Sequence, residues 1–375
     1  MNFGFSEEQE LLRAEVRKFL DQNCPLEEVR KLSETPQGFS RSYWDRFAEL
    51  GWVGLGVPEV HGGIGLGWVD LVVVLEETGR TLFPSPLIAT SLASAAIQAA
   101  GSEAQQARWL PGIADGSLIG TLAHLEDSDV LGCAGVELLA RRDADAFLLT
   151  GGKHMVLDAA NADLFVVPFK SGAGEEDISL AVIERATAGL DVEPAGSIDV
   201  TQRQGRLRLD GVRVETDAIL GEPGGAAPLF ERLLDCGAVA ITAEAIGASE
   251  AALELTASYA KQRVQFDQPI GRFQGVKHPL AEMYVDIESF KSLLYYAAWA
   301  LDNLPEEASL AASRAKAYAS EAFPRIGIDT VGLHGGIGYT WEYDAHLYLK
   351  RAKWCRPTFG DADYHYERVA RLGGI

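Results

Sequence analysis

The sequence predicts an α+β chain of several domains, helical at both ends and β-rich in the middle. Three observations carry this. Residues 1–117 hold apolar side chains at helical spacing. Residues 118–225 break into short apolar runs bounded by Gly, Asp and Asn. From residue 226 an Ala-rich helical pattern resumes and runs to the end. A chain of 375 residues also exceeds one ordinary core, so two or three domains are expected.

Composition narrows the class. Apolar residues make up 47%, enough for large cores, and no run of 18 apolar residues predicts a membrane span. The start, MNFGFSEEQELL, is not a signal peptide. Cys24, Cys133, Cys236 and Cys355 are widely spaced, and the histidines form no ligand pair. This predicts a reducing cytoplasm and no metal site. A net charge of −21 disfavours nucleic acid and anionic membranes. It leaves room for an anionic small ligand held by a few local cations.

In chain order, residues 6–23 place Leu11, Leu12, Val16, Phe19 and Leu20 on a helix with Ser6 as N-cap. Residues 42–50 predict a second helix. Residues 51–67 form a Gly-rich loop without a preceding strand or GxGxxG spacing, so it does not read as a dinucleotide loop. Helices follow over 68–82, 85–100 and 102–110. Strands are predicted at 146–150, 164–168, 180–183, 207–210 and 212–214, forming a small barrel or sandwich. The last third predicts one helix from 226 to 262, then helices over 274–304, 305–331 and 341–353, and one after Gly360.

The last third is interrupted by YAKQRVQFDQPIGRFQGVK, residues 259–277. Pro269 and Gly271 are unfavourable inside a helix, so a tight turn is expected here. Arg263, Phe266 and Gln274 gather around it. The stretch reads either as a helical hairpin loop or as a rigid corner offering a cation, a ring and an amide to a ligand or a neighbouring subunit.

Several stretches, taken in order, resemble the acyl-CoA dehydrogenase family over essentially the whole chain. They are FSEEQELLR at the start, PEVHGGIGLG followed by Glu76–Arg80, GSEAQQARWLPGIADG, VETDAILGEPG, RVQFDQPIGRFQGVKHPLAEM and HGGIGYTWEYDAHLYLKRAK. The resemblance implies an N-terminal helical domain (1–117), a middle β-barrel (118–225) and a C-terminal four-helix bundle (226–375), usually in a tetramer. It implies FAD bound without a Rossmann motif. It also implies oxidation of an acyl-CoA thioester to the α,β-enoyl thioester, with an electron-transfer flavoprotein or similar acceptor. By this resemblance Arg263 pairs with the FAD pyrophosphate of a neighbouring subunit, Phe266 packs on the cofactor and Gln274 bonds near the adenosine. His334, Gly335, Gly336 and Gly338 form the turn over the adenine–pyrophosphate part, with Tyr339 and Thr340 following.

Two regions depart from the family pattern. The middle-domain flavin loop reads AHLEDSDVLG, with Glu126, Ser128 and Asp129 as partial matches. The segment set against the flavin ring reads HMVLDAANAD. The family's Glu base, counted from Lys353, falls on Phe359; in another branch it falls on Gly237. Two carboxylates are candidate substitutes. Glu244 lies two turns after Gly237 on the same helix face, and Asp361 lies two residues past Phe359, with Asp363 nearby. The third alternative is that this chain carries no base. It then resembles the subunit of α2β2 heterotetrameric members that lacks the Glu and completes the FAD site from across the interface. The candidate functions are therefore an FAD-dependent acyl-CoA dehydrogenase subunit, homo- or heterotetrameric, a non-catalytic partner subunit, or a flavin monooxygenase on the same fold.

Overall fold

The computed structural model describes residues 5–375. Six helices open the chain: α1 (Glu7–Asn23), α2 (Leu26–Ser33), α3 (Arg41–Glu49), α4 (Trp68–Arg80), α5 (Leu87–Ala100) and α6 (Glu103–Ala114). Eight strands follow: β1 (Gly120–Leu122), β2 (Ala140–Asp143), β3 (Ala146–Leu157), β4 (Leu164–Lys170), β5 (Ile178–Glu184), β6 (Leu190–Ala195), β7 (Gln204–Glu215) and β8 (Ile219–Leu220). After them come α7 (Ala227–Gln262), β9 (Val264–Gln265), β10 (Gln268–Pro269), α8 (Gln274–Asn303), α9 (Pro305–His334), α10 (Ala345–Cys355) and α11 (Ala362–Gly373). The described residues form two compact units. One holds the chain up to Lys31, Trp68–Phe83 and Ala238–Ile375. The other holds Leu32–Gly67 and Pro84–Gly237.

In the first unit, Ser6 caps α1 through a capping box with Gln9, and Glu7, Glu8 and Glu10 sit at the positive end of the helix dipole. The helix buries Val16 and Leu20. Its polar edge is anchored to α4: Arg13 Nη2 lies 2.7 Å from Glu76 Oε2, and Arg17 forks onto Glu77 at 2.7 and 2.8 Å. Glu76 is 1% exposed. Burial pushes its carboxyl up to about 7, against the pull of Arg13.

Helix α7 crosses α4 with the two backbones in contact. A Cβ at Gly247 would fall 1.7 Å from Glu76 O, and one at Gly79 would fall 2.2 Å from Glu244 O. Only glycine on each side permits so close an approach. By length and composition α7 could cross a membrane, but 89% of its most apolar window is buried inside the protein, which makes it a core helix. Helix α9 is the hub of the C-terminal helices, with α8, α10 and α11 all packed on it.

In the second unit the expected β-barrel is corrected to two separate four-stranded sheets, ordered β1-β4-β5-β8 and β2-β3-β7-β6. Strands β1 and β8 are three and two residues long, too short to carry a ladder around to the other sheet. The sheets meet at single bridges, Leu125 with His154 and Leu139 with Lys170. Strand β3 bends at two register shifts against β7, and Met155 takes a positive φ of 51° at the second. The two alternating runs predicted at 207–214 are one strand, β7, whose Leu207, Leu209, Val212 and Val214 face inward.

Candidate functional site

The interruption between α7 and α8 is a two-residue β-hairpin. Gln265 pairs with Gln268 and Val264 with Pro269. The turn residues Phe266 and Asp267 both have positive φ, 53° and 59°, as a type I′ turn requires. Such turns favour Asn and Gly, so a Phe here carries backbone strain. Phe266 is 85% exposed, with only an edge contact to Phe273 at 6.0 Å. Arg263 and Gln274, the first residue of α8, are exposed on either side of the hairpin. The Arg263 amide donates to Tyr259 O and its carbonyl accepts from Ile270, both at 2.8 Å, so the corner is closed by its own backbone.

The Gly-rich turn follows the last residue of α9. Gly335 has φ 63°, and a Cβ at Gly335 or Gly336 would meet no atom within 4 Å. Here glycine serves the backbone conformation and leaves the chain open to a ligand. Gly338 is buried, and its absent Cβ would fall 2.6 Å from Val331 O. His334 is 3% exposed. Its Nδ1 lies 2.6 Å from Thr330 O, and its ring clusters with those of Tyr259 at 4.5 Å and Tyr343 at 4.9 Å, which are themselves 6.4 Å apart. The structure thus brings the hairpin and the Gly turn to one end of the unit, clasped by Tyr259 and His334.

Both candidate bases have structural partners. Glu244 Oε2 accepts from Arg351 Nη1 at 2.9 Å, with side-chain exposures of 5% and 0%. Thr78 Oγ1 lies 3.5 Å from the other oxygen. Asp361 is the N-cap of α11, its Oδ1 accepting from Tyr364 N at 3.0 Å. Phe359 is buried and left-handed at φ 57°, and the turn it begins is pinned by two side chains. His365 Nε2 lies 2.9 Å from Phe359 O, and Lys316 Nζ donates to Gly360 O at 2.6 Å.

Lys316 was missed by reasoning from the sequence. It is 1% exposed and donates also to Cys355 O, Arg356 O and Ser320 Oγ, at 3.1, 2.9 and 2.8 Å. Burial pushes its ammonium down to about 7, opposed by Cys355 and Asp361. Its signal was a lone lysine on the face of α9 shared by Ala312, Ala315 and Ala319. Burial and the Lys316 ammonium push His365 down to about 3, so its imidazole is neutral.

In the second unit, Glu126 of the altered flavin loop is bound to Lys153 of β3, Oε1 to Nζ at 2.5 Å, with both side chains buried. Burial pushes Lys153 down to about 8, opposed by Glu126. His154 N donates to Leu125 O at 2.9 Å, which joins the two altered segments directly. Ser128 Oγ is buried with no protein partner.

Residues 6–117 match the acyl-CoA dehydrogenase N-terminal domain and residues 227–373 the acyl-CoA dehydrogenase C-terminal domain. Acyl-CoA dehydrogenase IpdE2 of Mycolicibacterium smegmatis is 32% identical over 92% of this chain and 93% of its own. The solved structure of the Tcur3481–Tcur3483 steroid ACAD superposes with a TM-score of 0.89 at 32% identity, covering 98% of both chains. The ChsE4–ChsE5 complex from Mycobacterium tuberculosis gives 0.91 at 28%, covering 100% of this chain and 99% of that one. The chain belongs to the acyl-CoA dehydrogenase family, FAD-dependent oxidoreductases acting on CH–CH bonds. The hairpin-and-turn end fits that cofactor: an exposed cation, an exposed ring and an open glycine backbone stand together there. In the second unit the loop carboxylate of Glu126 is taken by Lys153, and the Ser128 hydroxyl is left without a protein partner.

Proposed function

We propose that this chain is one subunit of an FAD-dependent acyl-CoA dehydrogenase that completes an FAD site while a second chain supplies the base. In the α,β-dehydrogenation of an acyl-CoA thioester, a carboxylate takes the α-proton and the cofactor takes the β-hydride. The electrons then pass to an electron-transfer flavoprotein or a similar acceptor. Arg263, Phe266 and Gln274, with His334, Gly335, Gly336 and Gly338, are this chain's contribution to holding the cofactor.

The observation that carries this reading is the Glu244–Arg351 pair. A carboxylate at 5% exposure, bound to a fully buried guanidinium, is engaged in an ion pair, which supports a structural role over that of the base. Asp361 is held by its capping bond, and the turn before it begins with a buried phenylalanine. The relatives agree in kind, since two of the solved structures pair two differently named chains and one is described as a steroid ACAD. A bulky steroid-derived acyl-CoA is accordingly the substrate class we favour.

The test is the visible spectrum of the purified chain, alone and co-expressed with an acyl-CoA dehydrogenase chain that carries the Glu. Flavin bands and bleaching by acyl-CoA are expected only in the pair. A lone chain that holds flavin and bleaches, and whose Glu244→Gln or Asp361→Asn variant keeps flavin but stops bleaching, would overturn the reading.

A further inference from the structure

His334 ends α9 with an imidazole whose two nitrogens are unlike. Nδ1 lies 2.6 Å from Thr330 O. A carbonyl oxygen only accepts, so Nδ1 carries the hydrogen, and in the neutral ring Nε2 presents a lone pair. Burial holds the ring below the usual histidine range, which favours that neutral form. No protein donor reaches Nε2, although the residue is 3% exposed. One turn earlier, the hydroxyl of fully buried Thr330 is likewise without a protein partner. Two orphaned polar atoms therefore lie at the end of α9, beside the open backbone of Gly335 and Gly336. Buried polar groups are nearly always paired, and such exceptions call for a reason.

We infer that His334 is a hydrogen-bond acceptor for the nucleoside part of the cofactor, its Nε2 receiving a hydroxyl or amine donor of the adenosine moiety, while the anionic part falls to Arg263. This rests on the reading that the hairpin-and-turn end meets FAD, and it adds which atom meets which kind of group. A neutral imidazole with a bare Nε2 has no proton to offer a phosphate oxygen. It is complementary to a ribose hydroxyl or an adenine amine. The rings of Tyr259 and Tyr343 lie 4.5 and 4.9 Å from the imidazole and hold its orientation.

The test uses the full chain with 15N-labelled histidines. The resonances of His334 are assigned among the seven histidines by His334→Gln. The free chain is expected to show a protonated Nδ1 and a bare Nε2. Titration of the flavin-free assembly with the co-expressed chain, using adenosine, ADP or FAD, is expected to shift Nε2, and pyrophosphate alone is not. His334→Leu should weaken FAD or ADP about tenfold, and His334→Gln, which keeps an acceptor, should largely restore affinity. Thermal midpoints measured alongside separate lost binding from lost folding. A protonated Nε2 overturns the inference, as does an Nε2 that no probe moves because it holds a buried water only. If Arg263→Ala weakens binding while His334→Leu does not, the inference fails alone. If neither variant changes binding, the assignment of this end to FAD fails with it.

Discussion

The ring of Tyr259 lies 4.5 Å from that of His334, tilted by 33°. Tyr259 is on the last turn of α7, four residues before Arg263, and His334 directly precedes Gly335. One aromatic contact therefore fixes the hairpin against the Gly turn, two segments about 70 residues apart in the chain.

If Glu244 is structural, its removal should be felt in stability before chemistry. Glu244→Gln takes a carboxylate away from the fully buried Arg351 guanidinium, and breaking a buried pair costs about 3 kcal/mol or more. The thermal midpoint should fall by several degrees, while the active assembly keeps its turnover at temperatures where the variant is folded. Loss of turnover with an unchanged midpoint would instead make Glu244 the base.

Gly247 should tolerate nothing larger. Its missing Cβ would lie 1.7 Å from Glu76 O, a backbone atom that cannot swing aside. Gly247→Ala should force α7 and α4 apart and lower stability by about 1–3 kcal/mol or more. Guanidinium unfolding of the variant at constant m-value checks this.

Asp267 offers the opposite outcome. It sits at φ 59° in an exposed turn, and Asp267→Gly relieves the left-handed strain. We expect stability to rise by up to about 1 kcal/mol. Phe266→Ala should leave the folded chain unchanged, because the ring is exposed, and should weaken flavin retention in the assembly. A Phe266→Ala chain that unfolds earlier than wild type would give the ring an internal role instead.

Glu76 sets a pH dependence. Its carboxyl is raised from 4.5 to about 7 in the folded chain, so the folded state binds a proton that the unfolded state has released. Its contribution to stability is therefore full below pH 4.5 and is lost as pH rises through 7. The stability of wild type minus that of Glu76→Gln should fall by about 3 kcal/mol between pH 4.5 and 8. Denaturation midpoints across that range read it directly, and a flat difference would contradict the assignment.

How much of this was legible in the sequence depends on whether the signal was local. The capped α1, the Ala-rich α7 and the corner at Pro269–Gly271 follow from spacing and turn chemistry, and the structure has them. The hairpin strands were not legible, because two-residue strands have no periodicity. Barrel closure failed because strand length, not strand presence, decides whether a sheet can close. Glu244 stood out as a lone acid in an apolar run, but its partner Arg351 lies 107 residues away and nothing near Glu244 announces it. Lys153 and Glu126 pair across 27 residues for the same reason. Glu244 was visible as an anomaly, but Lys316 and the partners of the buried charges were not.

The oxygens around Lys316 resemble those that dress a potassium ion: three main-chain carbonyls and a hydroxyl converge on one positive centre. In coordination terms the fold has built a host and tethered its own guest. A tethered guest cannot exchange with the medium, so the turn at Phe359 should hold its shape as firmly in dilute buffer as in molar salt.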